Sequence, residues 1–448
     1  MLLPLVSNGQ QTKVNSIELI GNQRTKDAVI LRELSFRQHV LYDENELSEH
    51  LLTSRNRLMN LNLFNDVVFL KQCENGLCQI RIELIERWYV WPIPSLEFSD
   101  RNFNVWQNLD FDPERTNYGL YLFNYNLFGS NHTMKLSLIQ GYNQKIGLEY
   151  RIPFLSRYSP WGIDFKIQHQ NQQELWQKTV NDKLVFYKSD EKGAIKESQI
   201  DVTLSRRLNL NTSISFTTGL QDSRISSEIQ SLPSSYTYFI DNSHHQQKMY
   251  FGLDAQYDRR DNQFYPLIGE YLNVGVQAQR FSANSNANNI NIYAQWDEFR
   301  PIGQRFYSVY SIYGVINTND KLGYHDYKML GYDQSIRGYE HYVSDGHAAV
   351  ALRSSIKYHL LKNGKMKINF LPKSYRILPV NLFLELFMDI GRSSSSRIIV
   401  DNNLPNTTLA STGLGLNCLF YNDRVIRFEY SYNRFKEAGL YIHFKKAL

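Results

Sequence analysis

The residue of this chain best suited by type and setting to do chemistry is Arg337, in Ser335-Ile336-Arg337-Gly338-Tyr339. It sits in a polar, turn-rich segment, Leu330 to Tyr339, inside a stretch 318–346 that separates two strand-like runs. Loops of that length are normally functional or disordered, and this one carries too many aromatics for disorder. A guanidinium is permanently charged and presents a planar fork of donors that matches a carboxylate. Its chemistry is therefore a charge-assisted, bidentate ion pair. The expected partner is Asp389 in Phe387-Met388-Asp389-Ile390-Gly391. From Val380 onward Leu382, Leu384, Leu386, Met388 and Ile390 are apolar, while Asn381, Glu385 and Asp389 share the opposite parity. Successive strand side chains point to opposite faces, so Glu385 and Asp389 face the inside of a barrel whose outside meets lipid. The loop is expected to fold back into that barrel and latch there through Arg337, Gly338 and Tyr339 against Asp389 and Glu385.

Covalent catalysis has no support. There is no G-x-S-x-G elbow and no phosphate-cradling glycine loop ahead of a helix. His244, His245, His325, His341 and His347 lack ligand-like spacing with Cys or carboxylates, so the reading is no enzyme, no metal and no cofactor. The net charge of +5 and pI near 8.8 are mild, with Lys and Arg spread along the chain. No nucleic-acid partner follows from that pattern.

The elements that would position the latch are strands. The chain has 30 Tyr and 25 Phe but a mean hydropathy of −0.44, and no apolar run reaches the roughly 18 residues of a spanning helix. A transmembrane barrel reconciles these facts, because its strands alternate lipid-facing apolar with lumen-facing polar residues. Sixteen such runs fall between 93 and 446. The run 178 to 190 also alternates but is assigned to a loop extension, since counting it would give an odd total, unusual in single-chain bacterial barrels. A basic charge on the lipid face near the midplane would cost roughly 2 to 4 kcal/mol, which fixes each strand's register.

Before the barrel, 13–87 reads as strand, helix, helix, strand, strand. The first helix is expected to be capped by Thr25 and to bury Ala28, Leu31 and Leu34. The second starts at Asp43, with Glu46 completing a capping box, and buries Leu47, Leu51, Leu58 and Leu61. Cys73 and Cys78 flank a hairpin turn and could pair in an oxidising compartment, though so short a ring stabilises little. Residues 1–12 read as a residual signal or linker, since Met1 to Gln10 has only a stub of apolar residues and no basic start. Residues 88–448 are assigned to the barrel.

Three motifs carry a resemblance. Ile336-Arg337-Gly338-Tyr339 resembles the [VI]-R-G-[FY] signature in the sixth extracellular loop of the BamA/TamA superfamily of outer-membrane assembly and translocation barrels. Phe387 to Gly391 resembles its F-x-D-x-G motif on the thirteenth strand. Asp258-Arg259-Arg260-Asp261, followed by Pro266 and Gly269, resembles its periplasmic turn between strands eight and nine. The segment 13–87 is similar to a polypeptide-transport-associated (POTRA) domain, present once. Gly439, Ile442 and Phe444 fit the family's β-signal on the last strand. On the twelfth strand Ser355 stands where relatives often carry an inward glutamate, so a second acidic contact to the loop is expected to be missing from that strand. The resemblance implies a mainly β, 16-stranded antiparallel transmembrane barrel in the bacterial outer membrane, with one small α+β domain in the periplasm. It implies a factor that templates client β-strands at the barrel seam, or alternatively a passive structural barrel, or a secretion porin for one partner protein. The implied partners are the lipid bilayer, unfolded outer-membrane clients, and periplasmic chaperones or lipoproteins.

Overall fold

The computed structural model of the chain describes residues 11–98, 113–189, 193–230, 237–283, 286–332, 334–367, 377–397, 402–420 and 424–446. Most of the expected leader stretch, 1–10, lies outside them. The chain divides into two compact units, the first comprising residues up to Pro92 with Leu122–Lys135 and Tyr150–Gly162.

In the first unit β1 (Gln11–Ile20), α1 (Asp27–Leu31), β2 (Leu41–Asp43), α2 (Glu44–Asn60), β3 (Phe64–Glu74) and β4 (Leu77–Glu86) form a small α+β domain. Its sheet runs β2-β1-β4-β3, with β1 parallel to β4. Three residues are too few to show a period, which is why β2 was invisible in the sequence. Helix α2 starts with the capping box of Asp43 and Glu46, and its Leu47 and Leu58 are fully buried while Leu51 and Leu61 pack at the margin of the core. Gly21 ends β1 at φ +94°, where a Cβ would lie 2.1 Å from the Leu84 carbonyl oxygen; only glycine permits that approach. Cys73 and Cys78 face each other across the β3–β4 hairpin and are joined by a disulfide. Closing so small a ring removes unfolded-state entropy worth about 2 kcal/mol.

Helix α1 departs from expectation. It is five residues long, begins after Lys26, and buries Val29 and Ile30 while Ala28 is half-buried and Leu31 exposed. Thr25 does not cap it because Thr25 is engaged elsewhere. Its amide and hydroxyl donate to Glu86 Oε1 at 2.7 and 2.6 Å. Tyr89 Oη lies 3.0 Å from the same hydroxyl, which also accepts from Asn126 Nδ2 at 2.9 Å. With the helix ending at Leu31, Leu34 is buried from a turn and no helical stripe is completed.

The remaining strands are β5 (Val90–Phe98), β6 (Thr116–Leu127), β7 (His132–Gly141), β8 (Gln144–Ile152), β9 (Trp161–Gln172), β10 (Glu174–Val180), β11 (Lys183–Lys188) and β12 (Ile195–Arg207). They continue with β13 (Thr212–Ile225), β14 (His245–Asp258), β15 (Gly269–Ser282), β16 (Asn286–Pro301), β17 (Phe306–Asn317), β18 (Lys328–Leu330) and β19 (Ser344–Asp345). Last come β20 (Ala348–Lys367), β21 (Ile377–Ser394), β22 (Thr408–Phe420), β23 (Arg424–Asn433) and β24 (Ala438–Lys446). Sixteen of them form one sheet in sequence order from β5 to β24, leaving out the β10–β11 hairpin and the small β18–β19 pair. This is a 16-stranded antiparallel transmembrane β-barrel. Period-two burial sets its faces: Leu384, Leu386 and Met388 of β21 are 46, 54 and 51 % exposed, while Phe383, Glu385, Phe387 and Asp389 between them are buried. Met249, Phe251 and Leu253 of β14 are outward in the same way.

The Glu86 knot gives a pH test for the first unit. Burial pushes the Glu86 carboxyl up, but hydrogen bonds from Thr25, Tyr89 and the Arg24 amide outweigh it and hold the group below its ordinary 4.5. Tyr89 is pushed up to about 12 by burial and the neighbouring carboxylate. A depressed carboxyl stabilises the fold above its unfolded pKa and loses that contribution as pH falls through the folded value. Thermal midpoints of this unit are therefore expected to decline below about pH 4.5, with Thr25→Val flattening that decline; an identical slope in the variant would remove the knot from the account.

Candidate functional site

The stretch 318–346 between β17 and β20 is ordered by its own short turns and by the β18–β19 pair. Gly331, at φ +90°, turns the chain, and its amide donates to the Gln334 carbonyl at 2.7 Å. That turn delivers Arg337 to β21. Arg337 Nε and Nη2 donate to Asp389 Oδ2 and Oδ1 at 2.8 and 2.6 Å, and its own amide donates to Oδ2 at 3.2 Å. Nη1 reaches Glu385 Oε1 at 3.0 Å. The guanidinium lies 3.9 Å above the Phe387 ring, so Glu385, Phe387 and Asp389, at alternate positions of one strand, each contact one cation. Burial alone would lower the Arg337 pKa, but Asp389 and then Glu385 more than reverse that, and the group stays charged. The second acidic contact doubted because of Ser355 comes instead from Glu385. Ser355 itself is buried on β20, paired with Phe387.

The neighbours of Arg337 are held as closely. Gly338 adopts φ +83°, and a Cβ there would lie 3.0 Å from Ser431 Oγ. Its carbonyl accepts from Asn433 Nδ2 at 2.9 Å. Tyr339 is 2 % exposed; its hydroxyl donates to the Ala410 carbonyl at 3.0 Å and accepts from the Arg434 amide at 3.2 Å. Ile336 fills the space over Gly391, where a Cβ would come within 2.6 Å of its Cδ1. Arg353 Nη2 donates to the Ser335 carbonyl at 2.7 Å and to Gln334 Oε1 at 3.0 Å.

The turn motif between β14 and β15 is a self-contained knot. Asp258 accepts from Arg260 Nε and Nη2 at 2.8 and 2.7 Å, and the guanidinium lies over Tyr271. Asp261 Oδ1 gathers the amides of Asn262, Leu267 and Ile268 on either side of Pro266. Gly269 closes the turn at φ +109°, 2.2 Å from the Arg259 carbonyl oxygen as measured from a would-be Cβ. This knot presents Tyr265, which packs on Phe383 at 4.9 Å and accepts from Asn417 Nδ2 at 2.9 Å. The same Asn417 nitrogen donates to Glu385 Oε2 at 2.6 Å. The turn and the loop latch are thus joined through one buried asparagine, which sequence reasoning missed because a lumen-facing Asn is unremarkable until strands are in register.

On β24, Gly439, Ile442 and Phe444 pair with Ser431, Phe428 and Ile426 of β23. The Tyr441 ring covers Gly439 so closely that a Cβ there would fall 2.6 Å from its hydroxyl oxygen. Of the five histidines weighed in the sequence, His245 lies 2.6 Å from Asp222, and His325 lies between Glu197 and Asp326 at 3.2 Å each.

These features define an outer-membrane barrel closed over an inward loop and preceded by one POTRA domain. The Omp85 superfamily domain matches residues 126–349, half of the chain, and a POTRA domain described as a surface antigen variable number repeat matches 12–75. The chain belongs to the Omp85 superfamily. Among solved structures it is similar to BamA from Haemophilus ducreyi lacking POTRA domains 1–3, at 13 % identity and TM-score 0.53, covering 97 % of this chain and 83 % of that one. It is also similar to CdiB from Escherichia coli, at 12 % identity and TM-score 0.56 over 97 % and 75 % of the two chains. CdiB from Acinetobacter baumannii follows at 12 % and 0.50, over 97 % and 73 %. No curated protein matches in sequence. The protein resides in the bacterial outer membrane with its N-terminal domain in the periplasm, and serves outer-membrane assembly or translocation.

Removing one partner of a buried ion pair typically costs 3–5 kcal/mol, because the other charge is left unpaired. Arg337→Ala strands Asp389 and Glu385, 0 and 5 % exposed. The variant is expected to retain a heat-modifiable barrel in detergent, with a lower thermal midpoint and protease cleavage within 318–346. Cleavage kinetics matching the wild type would show that the guanidinium does not hold the loop.

Proposed function

We propose that this barrel is an assembly factor that inserts client outer-membrane proteins by templating their β-strands at the seam between β5 and β24, the POTRA domain passing strands toward it. The observation that carries the reading is the clamp on Arg337. The loop tip is fastened to β21 through Asp389 and Glu385 and to β22 through Tyr339, which supports a stiff run of strands ending at β24. A rigid edge strand is a ready template, because its free amides and carbonyls pair with any incoming backbone, and in lipid each unsatisfied backbone group is costly enough to drive pairing. The POTRA sheet offers the matching hand-over surface: β3 is an edge strand with Val68 and Leu70 40 and 41 % exposed. Strand addition of that kind draws affinity from the main chain and tolerates many sequences. Unfolded outer-membrane clients are the proposed substrates, with periplasmic chaperones or lipoproteins delivering them.

A second reading, export of one partner polypeptide, is favoured by a cavity of about 570 Å³ lined by Gln170, Glu197, Lys248, Gln279 and Asn291. Its polar wall suits an extended main chain.

Depletion followed by quantification of the outer-membrane proteome separates the two. Assembly predicts that many barrels fall together and that an Arg337→Ala copy fails to restore them. Loss of one secreted protein alone would transfer the assignment to export, and an unchanged proteome would leave a purely structural barrel.

A further inference from the structure

The outward face of the barrel changes character at its extracellular end, the end away from the β14–β15 turn. On β12, β13 and β14 the lipid-facing positions are apolar up to a row formed by Ile200, Leu220 and Met249, which oppose one another across adjacent strands and are 51, 57 and 42 % exposed. Four residues further along each strand, the same face carries Lys196, Arg224 and His245, again directly opposite one another. Arg280 of β15 pairs with Met249 and so stands at the edge of the apolar belt. His169 extends the patch to β9, its Nδ1 2.9 Å from Ser198 Oγ on β12.

Charge in this patch is not balanced from within. Lys196, Arg224 and Arg280 are exposed, permanent cations, and the acid that contacts the patch among the described residues is Asp222 alone. That one carboxylate is shared: it accepts from Arg224 Nε and Gln247 Nε2 at 3.1 Å each and lies 2.6 Å from His245 Nε2. Among the described residues Lys196 and Arg280 have no ion pair. Like charges directly opposite one another in a sheet are destabilising, and Lys196 faces Arg224 in that way. Depth adds a second constraint. Four residues of strand rise about 13 Å, which a tilt near 40° reduces to roughly 10 Å of height. The headgroup layer outside the hydrocarbon is roughly 5–8 Å thick, so these cations stand within it or just above it, and the long stem of Arg280 lets its head rise to the same level. A partner at that level is anionic and is presented by the leaflet that already covers the apolar rows. The outer leaflet of a bacterial outer membrane presents a phosphorylated glycolipid, and phosphate oxygens accept strong charge-assisted hydrogen bonds from Lys and Arg.

We propose that Lys196, Arg224 and Arg280, with His245 beside them, bind the phosphates of an outer-leaflet glycolipid whose acyl chains lie against Ile200, Leu220 and Met249. The bound phosphates relieve the repulsion between Lys196 and Arg224. The site occupies the sixth to ninth of the sixteen strands, remote from both ends of the sheet.

Native mass spectrometry of the full-length protein in detergent tests the site, with lipid A bearing both phosphates, the same lipid dephosphorylated, and phosphatidylglycerol as probes. The expected result is at least fivefold greater occupancy by phosphorylated lipid A than by either other lipid at equal concentration. Lys196→Gln, Arg224→Gln and Arg280→Gln combined should lower that occupancy to the level of the dephosphorylated lipid. Arg392→Gln, an exposed change on β21, should leave it unaltered. Gel heat-modifiability reports whether the triple variant folds; if it does not, Lys196→Gln alone is read for at least a twofold loss. Equal occupancy by lipid A with and without its phosphates, or by phosphatidylglycerol, overturns the site. Undiminished occupancy in a folded variant also overturns it, as does an equal loss in Arg392→Gln, which would assign binding to overall positive charge.

Discussion

The structure depends on a desolvated guanidinium shared by two carboxylates. Asp389 is fully buried and Glu385 nearly so, in a lumen where charges without partners are heavily penalised. The strand that carries them needs cations against it: Arg353 and Lys357 of β20 stand opposite Asp389 and Glu385, and Arg337 arrives from the loop to bond both acids directly. The loop is therefore a structural component of the wall. Arginine suits the task where lysine would not: it supplies three directed contacts from its side chain to two acids and lays a flat face on Phe387. A lysine is a point charge and could not match that fork.

From this clamp hydrogen bonds continue through the wall to the β14–β15 turn. Glu385 is held by Asn417, Asn417 also donates to Tyr265, and Tyr265 is aimed by the amides that Asp261 and Asn262 collect. Lys357 Nζ lies 4.1 Å over the Tyr265 ring. Arg337 and Tyr265 are 72 residues apart in sequence yet share a bonded path of four side chains. Such a path transmits position, since a shift of either end must break a buried hydrogen bond or move the strand that bears it.

Much of this was legible beforehand, for a definite reason. Period-two alternation is strict wherever one face meets lipid, so the apolar parity of Leu384, Leu386 and Met388 exposed Asp389 and Glu385 as lumen residues, and the same alternation located the sixteen strands. The 178–190 run alternates without joining the barrel, because its hairpin pairs with itself. What escaped was whatever depends on register or on competing partners. Asn417, Asn433 and Tyr265 look like ordinary polar and aromatic residues until strands are aligned. Helix α1 was misread because Thr25, a good cap by type, is claimed by Glu86. Lys196, Arg224 and His245 stand in one row only after three strands are in register.

The loop also bonds at its root. Asp326 accepts from Gln246 and lies 3.3 Å from Lys248 on β14, and His325 reaches Glu197 on β12. Its tip holds β21 and β22, and Tyr342 donates to Glu437 at the start of the last hairpin arm at 2.8 Å. One segment thus braces strands from β12 round to β24. With the seam of the proposed mechanism open, β24 would stay attached to this brace through Glu437, so the C-terminal edge would keep its shape while its backbone groups became available. An unbraced strand in the same position would fray, since an isolated edge in lipid cannot satisfy its own amides. The inward fold of the loop and the proposed use of the last strand as a template would then be two aspects of one requirement: an edge must be held rigid before it can direct the pairing of another chain.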